Sequence, residues 1–535
     1  MNFFQRAIKN ITRRPTKSVL LLLTFFIIGN FVIIGIGIST AANQAKILTR
    51  QSMRAVVEYG VDYEALNEYV SSLSDSELEE LNSNMEEYNK LYNLTEEEFQ
   101  KFLDDPRVVT FNANNYYIGS ASLQSVPIGN EREQSDTSGG VSVYTDANGN
   151  TVTMEYVEPE FRIMTNRTPN MIELAEGTWT ITDGRFYNEE ELETGAPVAI
   201  ISKEVAELNG VGVGDTFNID FTNDYSYMQQ MGVEISESDL KPTVTIIGIY
   251  STSETIDPNS ENFDWMSRYE SPYNRILMPN KTWLNLQLPM SQASFDYYAS
   301  MNPNDPYYSD PSNRPSAESI DYISSVVFLL KDPLDVDQFI QDYNQQLSQE
   351  YRKFTADNET FNQMARPLDS ISMYASVIVA IVVVNAIIII TLVTALTLKT
   401  REYEIGVLVS IGASKLKVVA QLFTELLIIG LVGFTLSVVS GSLIASTAGE
   451  ALLNYQVAVD DRYASDSDDV YYSSSTDYFT DIDQEDLLAN YHVTISPLII
   501  GEIYVAGVGI ILISIVIPSM MILRFNPKRI LTASL

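Results

Sequence analysis

Apolar residues gather into four long runs along this chain, at 18–38, 374–398, 426–448 and 498–523, each predominantly apolar on every face of a helix. A helix needs about 20 apolar residues to cross a bilayer core, whereas a helix buried in a soluble domain usually keeps a polar face. The pattern predicts four membrane-spanning helices, at 18–41, 373–398, 418–448 and 497–523. Outside the bilayer it leaves segments 1–17, 42–372, 399–417, 449–496 and 524–535. The first run is longer than the apolar core of a secretory signal, so it reads as a retained crossing rather than a cleaved leader.

The connections follow other periods. In 1–17, Phe3, Phe4, Ala7, Ile8 and Ile11 share one side of a helix with Arg6, Lys9 and Arg13 around the other, which predicts an amphipathic helix at the membrane surface ended by Pro15. The helical pattern of the first crossing continues through 44–55 as a stalk. Leu78, Leu81, Met85 and Tyr88 recur at spacings of three and four. Ser74 with Glu77, and Thr95 with Glu98, read as capping boxes. From Val108 the period shifts towards two. Strands are expected at 117–123, 152–157, 198–201, 216–221, 244–250 and 324–330, with helices at 203–208 and 336–347 and polar loops at 134–150 and 302–314. The fold class that results is an integral membrane protein: four transmembrane α-helices with a large mixed α/β extracellular domain between the first and second helix.

Charge orients this plan. The 535 residues carry a net charge of −37, but the first seventeen hold Arg6, Lys9, Arg13, Arg14 and Lys17 with no acid. Segment 399–417 holds Lys399, Arg401, Lys415 and Lys417, and the tail holds Arg524, Lys528 and Arg529. Positive charge stays on the cytoplasmic side, so both termini and the 399–417 hairpin are expected in the cytoplasm of a multi-pass cell-membrane protein. Acid crowds the outside, which argues against a nucleic-acid partner. The chain has no cysteine and one histidine, His492, so disulfides, thiol nucleophiles and multi-histidine metal sites are excluded. It has no G-x-x-x-x-G-K-[ST] loop either. No catalytic, cofactor or metal residue is expected. Residues 460–485, dense in Asp, Ser and Tyr, read as a loosely ordered acidic flap. Asp466, Asp468 and Asp469 lack the glycine and bidentate glutamate of a calcium loop and read as solvating charge.

The hairpin reads Lys399-Thr400-Arg401-Glu402-Tyr403-Glu404-Ile405-Gly406-Val407-Leu408-Val409-Ser410-Ile411-Gly412-Ala413-Ser414 between two apolar runs. It is similar to the cytoplasmic coupling motif R-E-x-E-I-G-h-L-x-A-h-G-A-S/T of MacB/FtsX-like ABC transporter permeases, the type VII or mechanotransmission class, with Ser410 replacing the commoner Ala. Glu425, Gly430 and Gly433 in the third run, and Asn526-Pro527 followed by Leu531 in the tail, also resemble that family. So does the stretch 175–219, with Gly184, Arg185, Glu189, Ala206 and Val213-Gly214-Asp215-Thr216, together with Ile246-Ile247-Gly248-Ile249. The absence of cysteine from the external domain fits a bacterial surface, and the resemblance extends this to a Gram-positive member.

The resemblance implies a permease subunit that is not itself an enzyme, with ATP and Mg bound by a partner ATPase dimer. It also implies a second permease chain in a homo- or heterodimer, and allows an extracellular accessory protein. Expected coupling residues are Glu402, Glu404, Ile405, Gly406, Val407, Leu408, Gly412 and Ala413, with Ile405, Val407 and Leu408 as the apolar patch. The implied task is efflux or extraction of peptide, antibiotic or lipid-linked cargo. An FtsX-like regulator of a cell-wall hydrolase, or a motorless receptor or adhesin, are the alternatives. Within the membrane, Gly433, Ser437 and Gly441 form a small-residue stripe for helix packing, inside the chain or across a dimer. Asn30 and Asn385 are expected to bond to neighbouring helices, and Glu425 and Glu502 to reach the membrane interface.

Overall fold

The computed structural model describes residues 3–13, 15–83, 85–130, 141–145, 151–155, 158–260, 262–323, 325–356, 358–464 and 491–524. The chain divides into two compact units, a helical one containing residues 1–53 and the C-terminal part from 357, and a mixed α/β one containing 54–356.

The helical unit contains α1 (Phe3–Arg13), α2 (Pro15–Ser52), α3 (Asn358–Thr400), α4 (Glu402–Ser410), α5 (Lys415–Ala464) and α6 (Pro497–Arg524). Helices α2, α3, α5 and α6 are long and apolar enough to cross a membrane. Pro15 opens α2 at the first helical position, where a missing N–H costs nothing. The long helices overrun the apolar spans. Helix α2 has 38 residues, about 57 Å at 1.5 Å per residue, against a hydrocarbon core of about 30 Å. The overrun has a packing reason: Ile38, Ala41, Ala42 and Ala45 of α2 bury against Leu368, Ile371 and Ala375 of α3 and Leu453 of α5. Ser39 and Ser372 share a hydrogen bond of 2.9 Å, and Lys46 pairs with Asp369. Hydropathy marks only the lipid-bathed part of such helices. Helix α5 accordingly runs to Ala464, well past 448 and into the segment expected to be flap. The rest of that segment, with Asp466, Asp468 and Asp469, lies outside the described residues.

The small-residue stripe packs within the chain. A Cβ on Gly433 would fall 2.7 Å from Phe25 Cβ, and one on Gly441 3.0 Å from Ile33. Ser437 Oγ donates 2.8 Å to the Phe26 carbonyl of α2. Asn30 Nδ2 donates to Phe26 O, while its Oδ1 accepts from Ser440 at 2.9 Å. Of the two intramembrane asparagines, Asn30 is bonded as expected. Asn385 is not: it lies on the exposed side of α3.

The α/β unit contains β1 (Val56–Val61), β2 (Val108–Asn112), β3 (Asn115–Ala121), β4 (Val141–Thr145), β5 (Thr151–Glu155), β6 (Phe161–Asn166), β7 (Trp179–Gly184), β8 (Val198–Ser202), β9 (Thr216–Asp220), β10 (Thr243–Thr252), β11 (Arg275–Pro279), β12 (Ser325–Leu330) and β13 (Arg352–Thr355). An antiparallel sheet of order β13-β1-β12-β2 comes from the two ends of this segment. Its aromatic core includes Tyr59, Phe99, Phe102, Phe328, Phe339 and Phe354. The middle of the segment forms a mixed sheet of order β7-β10-β8-β11-β6-β3-β9, and β9 also pairs with β10. Six strands thus close on themselves, and β7 is added to β10 as the one edge strand among the described residues of this sheet. Gly184 sits at φ +71, where an added Cβ would strike the Ile247 carbonyl. Strand β4 falls within the expected loop 134–150; it pairs with β5 in a two-stranded ribbon.

Both expected capping boxes form only in part. Glu77 Oε2 accepts from Ser74 N–H at 2.8 Å, but the Ser74 hydroxyl turns to donate to the same carboxylate. Thr95 accepts from Glu98 N–H, while the Glu98 carboxylate is taken by buried Arg352 at 3.0 Å. Arg352 also donates to the carbonyls of Lys90, Leu91 and Asn93. It thereby satisfies the carbonyl end of the helix Met85–Tyr92, which needs such donors.

Candidate coupling site at one end of the helical unit

Helix α3 breaks at Arg401, whose backbone is at φ −111, ψ 9, and α4 starts at the next residue. Helix α4 ends in a tight reversal: Ala413 N–H bonds Leu408 O and Gly412 N–H bonds Val409 O, both at 3.1 Å. Gly412 has φ +97, the left-handed conformation this helix ending requires and glycine adopts most cheaply. Ser414 then caps α5, accepting from Lys417 N–H. The expected hairpin is therefore a short helix and a four-residue connection, 411–414.

Its inner face is closed. Ile405 is buried with Leu398 of α3 and Val418 and Leu422 of α5. Gly406 is buried as well; Glu402, Val407, Leu408 and Ala413 are half-buried, and Glu404 and Gly412 are exposed. This corrects the expected apolar patch, because Ile405 is spent on the hairpin's own core. The large apolar groups on the outer surface are instead Tyr403, Ile411 and Leu416, at 58%, 80% and 73% exposure. Hydropathy alone cannot separate the inner from the outer apolar residues of a three-turn helix.

Behind this surface lies a polar cluster. Arg401 and Glu425 are both buried and meet at 3.2 Å between Nη1 and Oε2. The other carboxylate oxygen, Oε1, accepts from Asn10 Nδ2 at 2.6 Å and Gln421 Nε2 at 3.1 Å. Arg401 Nε lies 3.6 Å from Glu404. Glu425 thus does not reach the interface as expected. It ties together α1, the α3–α4 break and α5. Burying an ion pair is costly and is repaid only when further hydrogen bonds satisfy the carboxylate, as Asn10 and Gln421 do here. The sequence signal was an acid nearly three turns inside an apolar helix, with Arg401 at the preceding break. Glu502, by contrast, is exposed on α6, as is His492 just before it. Helix α1 forms as expected; Ala7 is fully buried, but Ile8 is 44% exposed.

A second polar cluster, in the α/β unit, escaped sequence reading. Arg54, Tyr116, Met164, Glu173, Thr178, Glu254 and Arg275 line a cleft of about 250 Å³. Arg54 grips Glu176, and Arg275 pairs with Glu254 at 2.7 Å, whose carboxylate also accepts from Trp179 Nε1. Glu173 is buried and accepts from Asn112 at 2.9 Å. Burial pushes its carboxyl above the usual range, against the Asn112 hydrogen bond.

Two family models account for most of the chain. The MacB-like periplasmic core domain matches residues 26–346, and the FtsX-like permease C-terminal domain matches 376–527, which contains α4 and the Arg401–Glu425 pair. The chain is an ABC transporter permease of the MacB/FtsX type. The uncharacterized ABC transporter permease YclI of Bacillus subtilis (strain 168) is 25% identical to the permease over 446 residues, 83% of this chain and 80% of that one. Among solved structures, the periplasmic region of MacB from Actinobacillus actinomycetemcomitans is 7% identical, covers 58% of this chain and 92% of its own, and has a TM-score of 0.27. The extracellular domain of the noncanonic ABC-type transporter YknZ from Gram-positive bacteria is 11% identical, with coverages of 56% and 99% and a TM-score of 0.23. The permease is a multi-pass membrane protein, and membership of this family implies an ATPase partner.

Proposed function

We propose that the permease couples ATP hydrolysis on a separate ATPase dimer to movement of its α/β domain, and that the outer surface of α4 and its following turn receives the ATPase. One observation carries this reading: Tyr403, Ile411 and Leu416 stay exposed on a turn whose inner face is already locked to α3 and α5. Large apolar side chains held out of a rigid turn are what an interface anchor needs. The basic residues around them favour the cytoplasmic side for this surface and for both termini. ATP and Mg belong to the partner. Through Arg401, Glu425 and Asn10 a push on α4 would reach α5 and α1 together, and the helices that overrun the bilayer would carry it outward. The cargo class is peptide, antibiotic or lipid-linked molecules, exported or extracted at the outer face by a pair of permease chains.

The test uses Ile411→Asp and Glu404→Lys in the full chain, co-expressed with its ATPase. Losing one interface anchor costs about 2 kcal/mol or more, so each variant should bind the ATPase roughly 30-fold more weakly and lose ATP-driven function. Membrane insertion and α/β-domain folding should persist. Wild-type binding and turnover in both variants would reduce the α4 turn to a connector.

A further inference from the structure

The polar cleft of the α/β unit is separate in sequence from every coupling residue. Its lining carries both signs of charge beside apolar surface: Arg54, Arg275, Glu173 and Glu254 share it with the ring of Tyr116 and the thioether of Met164. The charged groups are fixed before any ligand arrives. Arg54 donates from Nε to both carboxylate oxygens of Glu176 at 3.1 Å, and Glu176 is not part of the lining. Arg275 Nη1 and Trp179 Nε1 each donate to Glu254 Oε1 at 2.9 Å. Glu173 is buried and held by Asn112. Groups fixed in this way lose little freedom on binding. The hydroxyl of Tyr187, in the apolar core that Met164 belongs to, is buried and has no hydrogen-bond partner among the described residues, although a buried hydroxyl nearly always has one.

A lining with both signs of charge selects its occupant. A simple anion in the cleft would face Glu254, and a simple cation would face Arg54 and Arg275, and like charges at close range repel. A molecule with a carboxylate and an ammonium on one carbon answers both through charge-assisted hydrogen bonds. Size narrows the choice: about 250 Å³ falls just below the roughly 300–1,000 Å³ of sites for drug-sized ligands. We propose that this cleft binds a free α-amino acid with an apolar side chain, its carboxylate at Arg54, its ammonium at Glu254 and its side chain against Tyr116 and Met164. The site goes beyond the coupling and cargo readings and depends on neither.

The full chain, purified in detergent, is titrated by calorimetry with leucine, methionine and phenylalanine. At least one should bind with a Kd of about 1 mM or below. The best of them is then compared with its N-acetylated and its amidated forms, which mimic the two ends of a peptide. Removing either charge should weaken binding about tenfold or more. Arg54→Gln should cost as much through the carboxylate, and Glu254→Gln, which keeps an acceptor for Trp179 and Arg275, through the ammonium. Unfolding followed by tryptophan fluorescence identifies a variant that does not fold, and the capped ligands on the wild-type chain then decide without it. Equal binding of the acetylated form makes the cleft a plain anion site, and equal binding of the amidated form a cation site; either overturns the proposal. Binding that survives both substitutions lies elsewhere in the chain and overturns it too. If none of the three binds at about 10 mM, tenfold above that Kd, the cleft is an internal ion-pair cluster and no amino-acid site.

Discussion

Two buried arginines, one in each unit and each paired with a glutamate, do different jobs with the same chemistry. Arg352 and Glu98 sit beside the four-stranded sheet, with Arg352 at 3% exposure and its guanidinium also bonded to three backbone carbonyls. Arg401 and Glu425 sit at the end of the helical unit, where each element contributes one contact: Arg401 from the helix break, Asn10 from α1 and Gln421 from α5. The first pair is a strut, whose guanidinium is bonded many times within one folded layer. The second is a joint, in which one carboxylate serves several elements and a displacement of any of them strains the rest. A strut should yield a stability phenotype and a joint a coupling phenotype.

The largest effect is expected at the strut. Arg352→Met leaves Glu98 without its cation and the carbonyls of Lys90, Leu91 and Asn93 without their donor. Glu98 is half-buried and stays partly solvated, so the cost lies mainly in the carbonyls: each acceptor left without its donor costs about 1–3 kcal/mol. The three tryptophans, Trp179, Trp265 and Trp283, all lie in the α/β unit. Tryptophan fluorescence during denaturant unfolding of the full chain therefore reports that unit alone. A midpoint unchanged from the wild type would show that Arg352 holds nothing.

The joint should respond less in stability and more in function. Arg401→Met and Glu425→Leu each leave a buried charge unpaired, whereas the double variant leaves none, so the double should be milder than either single. The coupling energy expected for such a contacting pair is about 0.5–3 kcal/mol. The readouts are heat resistance of the detergent-solubilised complex and ATP-driven turnover. Strictly additive losses would mean that the two groups do not act as a unit.

These two pairs also show what a sequence can and cannot disclose. The four crossings, the strands near 198–201 and 216–221 and the helix Val336–Leu347 were legible because each carries its own period. Strands β1, β2, β4, β6, β7, β11 and β13 were not. Strand β1 follows α2 after three residues, so the helical pattern masks its start. In β6 and β11 most residues are buried, which removes the alternation that marks a half-exposed strand. The coupling segment was legible as a motif, but not its inside and outside: Ile405 on the helix faces its neighbours and Ile411, just past the helix end, faces out. Glu98 looked like a local cap because the competing partner, Arg352, is 254 residues away. Glu425 looked interfacial because its partners come from two other segments. Long-range pairings leave no trace in local spacing, and both pairs are long-range.

The smallest effect expected is a pair of opposed pH dependences inside the α/β unit, separating carboxylates that are paired from one that is merely buried. Asp105 is held down at about 2, chiefly by hydrogen bonds from Arg107. A depressed carboxylate contributes stability that is present above its unfolded value, about 3.9, and lost as pH falls towards the folded one. Glu173 is shifted the other way by burial. Its contribution is complete below its unfolded value, about 4.3, and is lost as pH rises through the raised folded one. Asp105→Asn should therefore flatten the decline of the unfolding midpoint below pH ~4. Glu173→Gln keeps an acceptor for Asn112 and cannot ionise, so it should remove the loss on the alkaline side and leave the acid limb intact. Denaturant midpoints by tryptophan fluorescence across the pH range distinguish the two. If Glu173→Gln instead lowers the midpoint at neutral pH, the buried carboxylate is bound as an anion, and Arg54 and Arg275 are its counter-charges rather than bystanders in the cleft.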